Sequence, residues 1–440
     1  MAWSVVWTTI LLIVHDGRLD FARIERASGS TGRVRYVEKR QKVSDNRGQD
    51  EHDSSKDQGR MEELEVDPAR GSELIWQHYP EHPFLERLDW VLDLMANFRG
   101  MAWNWRIPNL PRPPRDVVEQ LLRHDDSRNS KIHHSKSMNI GHIFPNRQSL
   151  LRCSLRRFVV GYFALDVIKT LITHDPFFWT GDFDLPGPSY LPSRLSTSIT
   201  FMKGQRLLLA QLAIYWALQT IFQTASLFFV GILGSKRIGV RGQSWMYPTE
   251  WGSYSTVADR GLSGWWGNWW HQSFRFAFES PGRKIVKLIG LESRSLLAKA
   301  LQMFVAFSVS GFLHANASYT SIGHTRPIRG PFLFFFLQPF GIIAQMVASD
   351  FLKASGIIQH VPMPVRRASN VVYVHIWFYY TAPLFIQDAA SGGQFLYEPI
   401  PLSILRGMGL GARDDSWYLW NGPWPRFHRG NHWWESGIVT

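Results

Sequence analysis

The chain has 440 residues, of which 45% are hydrophobic and 19% charged, with a formal net charge of +12 and one cysteine. The single Cys153 excludes an intrachain disulfide and any cysteine-rich metal module, including the zinc-bound core of palmitoyltransferases. The basic residues lie scattered beside hydrophobic runs rather than on one soluble domain, which points to a membrane surface rather than to nucleic acid as the partner.

The opening Trp3–Val14 is apolar but short, and it lacks the basic start and small-residue cleavage site of a signal peptide. A helix truncated upstream by a gene-model error is one explanation of it, a genuine short start the other. Between Asp16 and Arg70, 25 residues are Asp, Glu, Lys or Arg and aromatics are nearly absent. Such a segment buries too little apolar surface to offset its ordering entropy, so residues 1–72 are expected to be atypical and largely disordered. Residues 73–157 read as a cytosolic or interfacial segment and 158–440 as a multi-pass domain.

Uncharged runs then follow in series. A weaker candidate span at 158–173 contains Asp166 and Lys169, whose three-residue spacing would let them pair on one helix face. Residues 207–234 form the clearest span, since about twenty helical residues cross a hydrocarbon core. Further spans are expected at 296–322, at 331–349 with Pro339 as a kink, and at 371–387 with His375 and Pro383, while 395–410 is a weak sixth. The fold class is therefore all-α: a polytopic transmembrane helical bundle with a disordered, charged N-terminal segment. Eight Lys or Arg against two Asp over 123–157 place that stretch in the cytosol, and alternation puts 235–295 and 353–370 on the same side.

One histidine stands out, His314 in Ser308-Val-Ser310-Gly311-Phe-Leu-His314-Ala-Asn316, because an ionisable group within a span is a functional candidate by default. A neutral imidazole there can take the proton of an alcohol attacking an acyl carbon. Gly311 would allow close approach of backbone or substrate, and Asn316 and His324 would either help orient a substrate or base or be simply solvated near the helix end. A core histidine hydrogen-bonded across helices is the equal alternative.

Upstream lies Trp265-Trp-Gly-Asn268-Trp-Trp270-His271-Gln272-Ser-Phe-Arg275. An interfacial anchor explains its tryptophans. Asn268, His271, Gln272 and Arg275 have helical spacings of three or four and would share a face. Arg275, Arg283, Lys284 and Lys287 would offer charge-assisted bonds to the phosphates of a nucleotide-bearing donor, or form a solvated edge. No metal site is expected, and His428 and His432 read as part of an interfacial tail.

These two motifs, with Arg87-Leu-Asp-Trp90 running on to Arg99-Gly100-Met-Ala-Trp103-Asn-Trp105, resemble the wax-synthase-like branch of the membrane-bound O-acyltransferases, particularly its fungal members, over about residues 74–430. The resemblance implies direct transfer of an acyl group from coenzyme A to a hydroxyl, with no acyl-enzyme and no bound cofactor. His314 takes the position of the family's catalytic histidine and His271 that of its functional asparagine or histidine. Asn268, Trp270, Gln272, Arg275, Ser310, Gly311 and Asn316 shape the acyl-CoA and substrate site. The implied partners are acyl-CoA, with acetyl-CoA ranked first, a hydrophobic alcohol and the lipid bilayer, in the endoplasmic reticulum. O-acetylation of a lipophilic secondary metabolite such as a terpenoid ranks first and long-chain wax-ester synthesis second; a transporter or scaffold is the alternative of another class. The charged start replaces the hydrophobic helices expected there, and the residues fix neither acyl chain length nor oligomeric state.

Overall fold

A computed structural model of the chain describes residues 2–27, 73–124, 141–412, 415–420 and 426–439. Residues 28–72 of the charged segment lie outside the described residues. Three described helices are long and apolar enough to cross a membrane: Ile199–Leu233, Leu296–Tyr319 and Ile328–Ala354. Two further long helices, Arg147–Thr173 and Met363–Ser391, pack against them. The described strands are short and form two antiparallel two-stranded pairs, one of which joins Arg23–Arg26 to Leu74–Gln77.

The start of the charged segment, through residue 27, thus contributes structure. Ala2–Thr9 is helical and continues as one π turn, Ile10–Val14, whose last carbonyls accept from Lys284. Its Trp7 is fully buried against Trp105 and Phe276, and its Trp3 meets Phe274 at 4.3 Å. Burying such large rings contributes several kcal/mol, which compensates for the shortness of the helix.

The Arg99 to Trp105 motif forms a tight turn beneath this helix. Gly100 sits at φ +77°, and a Cβ there would strike Trp105 and come within 2.7 Å of the Arg106 backbone. Asn97 accepts from the amides of Gly100 and Met101, while Asn104 bonds the amide of Ala22 and the carbonyl of Asp20. Arg99 donates to the carbonyls of Pro248 and Thr249, so the turn fastens the N-terminal segment to the loop that leads into the tryptophan string.

Asp166 and Lys169 do not pair with each other. Asp166 accepts from Ser403 and from the amides of Ile404 and Leu405, and Lys169 donates to the carbonyls of Phe395 and Tyr397 beside Glu398. Both charges instead hold the 395–405 stretch against helix 147–173, because buried ions need several bonds and a lone partner supplies too few. Residues 395–410 correspondingly form no span; they contain a 3₁₀ turn, Gln394–Leu396, and a π turn, Arg406–Leu410. Helix 333–354 runs on through Pro339, and the non-helical residue is Gly330 in the preceding turn.

Helix 199–226 carries another fully buried charge near its start. Arg206 makes a bidentate pair with Asp175, both side chains being 0% exposed, and donates to the carbonyls of Phe183, Leu185 and Pro186. The guanidinium therefore knits loop 175–186 onto the helix.

Candidate active site

The tryptophan string does not continue as a helix. Helix Ser255–Gly264 passes into a single π turn, Trp265–Trp269, and the chain becomes extended at Trp270 before helix Arg275–Leu288 begins. Asn268, His271, Gln272 and Arg275 therefore do not share one helix face as their spacing suggested. A reversal brings them together instead. Gln272 donates to the carbonyls of Trp266 at 2.8 Å and Trp270 at 2.6 Å, and Arg275 donates to the Gly267 carbonyl at 2.7 Å and to Gln272 at 3.0 Å. Gln272 and Arg275 are thus the clamp of the turn.

That commitment extends to the neighbouring cations. Arg275 also bonds Glu279 at 2.5 Å, Arg283 pairs with the same carboxylate at 3.0 Å, and Lys284 caps the N-terminal π turn. Asn268 is buried and lines a narrow crevice with Gln272, Arg99 and Glu250. Burial raises the Glu250 carboxyl above its ordinary range, against the opposing pull of Arg99 at 3.8 Å.

His271 projects from the reversal into a ring of aromatics, with Trp251 edge-on at 5.7 Å, Trp270 at 5.5 Å, Phe222 at 6.0 Å and Phe274 at 6.0 Å. Its Nδ1 is buried and has no hydrogen-bond partner among the described residues. Desolvation lowers its pKa well below the usual histidine value, and a charge on His314 would lower it further. The two histidines, about forty residues apart in sequence, are thereby electrostatic neighbours.

His314 lies well inside helix 296–319 and makes no hydrogen bond among the described residues. Its ring stacks on Phe335 at 4.4 Å and 12° and meets Phe385 edge-on at 5.5 Å. The cross-helix hydrogen bond of the alternative reading is absent among the described residues. Phe335 also packs against Trp266 at 5.8 Å, so one phenyl ring links the His314 helix to the tryptophan string. Trp266 is fixed in turn by Gln338, whose Oε1 accepts from Trp266 at 3.2 Å and from Trp377 at 3.1 Å. Gln338 is fully buried, and its amide donates back to the Phe334 carbonyl at 2.7 Å.

The remaining expected residues separate into two groups. Ser310 is buried one turn before His314, on the same face. Gly311 meets backbone: a Cβ there would come within 3.0 Å of the Phe332 carbonyl, so its bareness lets the two spans pack closely. Asn316 donates to the Phe312 carbonyl of its own helix at 2.7 Å, and two residues along it faces away from His314. His324 is exposed in the following loop. Sequence reasoning missed Trp251, Phe335, Phe385 and Gln338. As ordinary core types in apolar runs they gave no signal; only Gln338, polar inside a span, could have been flagged.

A model of the membrane bound O-acyl transferase family matches residues 247–337, a stretch that holds both histidines. An acetyltransferase of Hericium erinaceus, eriL, is 24% identical over 60% of this chain and 62% of its own length. An acetyltransferase of Arthrobotrys oligospora is 24% identical over 75% of this chain and 65% of its own length. The O-Mevalon transferase macI of Penicillium terrestre is 21% identical over 59% and 53%. The chain thus spans about three-fifths of the length of these curated relatives. No solved structure matches it.

Proposed function

Starting from a chain of the membrane-bound O-acyltransferase superfamily similar to fungal acetyltransferases, we propose that it transfers an acyl group from acyl-CoA to the hydroxyl of a lipophilic secondary metabolite, with His314 as general base. The observation that carries this reading is an imidazole held within a span by ring contacts alone, its nitrogens unspent on the fold, and linked through Phe335 and Trp266 to the tryptophan string that carries a second histidine. Acetyl is the donor group in this reading, because relatives are named acetyltransferases; a terpenoid alcohol is the acceptor class we propose from the sequence resemblance. The membrane is that of the endoplasmic reticulum.

In the reaction, neutral His314 removes the hydroxyl proton as the alcohol oxygen attacks the thioester carbon. The C–S bond then breaks, the imidazolium returns the proton to the departing sulfur, and the products are an ester and free coenzyme A. Base catalysis of this kind contributes about 10² to 10⁴ in rate. His271 hydrogen-bonds the thioester oxygen, where charge develops. Phe335, Phe385 and Trp266 exclude water, which protects the thioester from hydrolysis. Arg275 and Gln272 act as positioning residues that hold the reversal on which His271 sits, and Asn268 lines the crevice beside it.

Microsomes expressing the chain, given radiolabelled acetyl-CoA and a panel of terpenoid and fatty alcohols, test the reading. Labelled terpenoid ester is expected. Labelled product only with palmitoyl-CoA and a fatty alcohol would make it a wax-ester synthase, and no ester from correctly inserted protein would overturn the proposal.

A further inference from the structure

An open cleft of about 350 Å³ borders the histidine pocket without belonging to it, between helices 147–173 and 199–226. Arg156 and Arg157 stand on one side, Tyr215 and Gln219 on the other, and Trp251 borders both the cleft and the histidine. The volume falls within the range of small-molecule sites. Thr249, Trp251 and Gly252 line both this cleft and the crevice that contains Asn268 and Gln272. The Trp251 indole that lines the cleft stands edge-on to His271 at 5.7 Å.

The two arginines differ from the other cations around the site. Arg99 is spent on the carbonyls of Pro248 and Thr249, Arg147 on those of Val230 and Gly231, and Arg275 and Arg283 on Glu279. Arg156 and Arg157 make neither an ion pair nor a hydrogen bond among the described residues, the first being exposed and the second half-buried. Arg157 lies near enough to the buried Glu250 to favour its ionised form. Snorkelling of long side chains would account for either arginine alone at the end of a span. It does not account for two adjacent uncommitted guanidiniums lining a cleft whose far wall is aromatic.

We infer that Arg156 and Arg157 anchor the phosphate groups of the nucleotide-bearing thioester donor, and that its arm passes along Trp251 towards His271 and His314. The inference rests on the acyl-CoA reading above and assigns the anchoring to residues that the sequence motifs do not contain. The guanidinium fork suits it, because it gives paired, charge-assisted bonds to phosphate oxygens.

Full-length protein in membranes is tested by binding of radiolabelled coenzyme A, with displacement by 3′,5′-adenosine bisphosphate or by pantetheine, and by steady-state kinetics with acetyl-CoA. For the wild type, the bisphosphate should displace coenzyme A and pantetheine should do so poorly. Arg156→Gln/Arg157→Gln should weaken coenzyme A binding and raise the KM for acetyl-CoA about tenfold or more, at nearly constant kcat, and Arg156→Lys/Arg157→Lys should recover most of the loss. An unchanged affinity and KM, or a fall in kcat alone, overturns the inference while leaving the acyltransferase reading intact. Coenzyme A binding that depends on the arginines in a protein that acylates no alcohol would instead overturn that reading and keep the anion site.

Discussion

Two buried polar sites in this molecule are built on opposite principles. At the Arg206–Asp175 site the charge is fully spent: the carboxylate and three backbone carbonyls accept from the guanidinium, and neither side chain reaches the surface. At the His271–His314 site nothing is spent, since the rings are held by aromatic faces and His271 Nδ1 has no partner among the described residues. Burying a polar group without a bond costs about 1–3 kcal/mol. The first site is a structural joint. The second leaves its hydrogen-bonding capacity unspent among the described residues, which is what the proposed chemistry needs.

The contrast breaks most visibly at the joint. Asp175→Ala leaves the Arg206 guanidinium buried without a counter-ion, which costs about 3–5 kcal/mol; the expected outcome is a collapse in the yield of membrane-inserted protein, read by fluorescence-detected size-exclusion chromatography. Gly311→Ala is expected to cost about 1–3 kcal/mol, because the new methyl meets the Phe332 backbone and cannot relax by a rotamer change. Its check is the thermal midpoint in detergent.

At the histidine site the sign reverses. His271→Phe should leave that midpoint unchanged or higher while lowering kcat, since it removes an unsatisfied nitrogen from an aromatic cage. Acidity gives the same contrast. The folded-state pKa of His271 is depressed, so the unfolded chain binds the extra proton, and stability is lost as pH falls below the unfolded value of about 6.5 towards the depressed one. His271→Phe should flatten that part of the pH–stability profile. The smallest effect is expected for Arg275→Ala, which loosens the clamp at Gly267 and Gln272 and should lower kcat severalfold without raising the KM for acetyl-CoA.

The same contrast marks what could be read from sequence. His314 and His271 were legible because a histidine in a span and a polar string among tryptophans are both costly in hydrocarbon. The spans at 199–233, 296–319 and 328–354 were legible for the converse reason, length and apolarity. Local spacing failed where tertiary partners decided the outcome. Asp166 and Lys169 sit at pairing distance in sequence and yet hold separate parts of the 395–405 stretch. The spacing of Asn268 through Arg275 suggested a helix, but side chain to backbone bonds from Gln272 and Arg275 close a reversal there. Trp7 shows a third kind of failure: a short apolar run looks inadequate as a span until the rings it meets, at Trp105 and Phe276, are known.

The most direct test of the account compares acetyl transfer from labelled acetyl-CoA by wild-type and His314→Ala protein, at matched levels of inserted protein. The account predicts a fall of about 10² to 10⁴ with insertion and thermal midpoint preserved. Activity that survives the substitution would contradict it and return His314 to the role of an ordinary core residue.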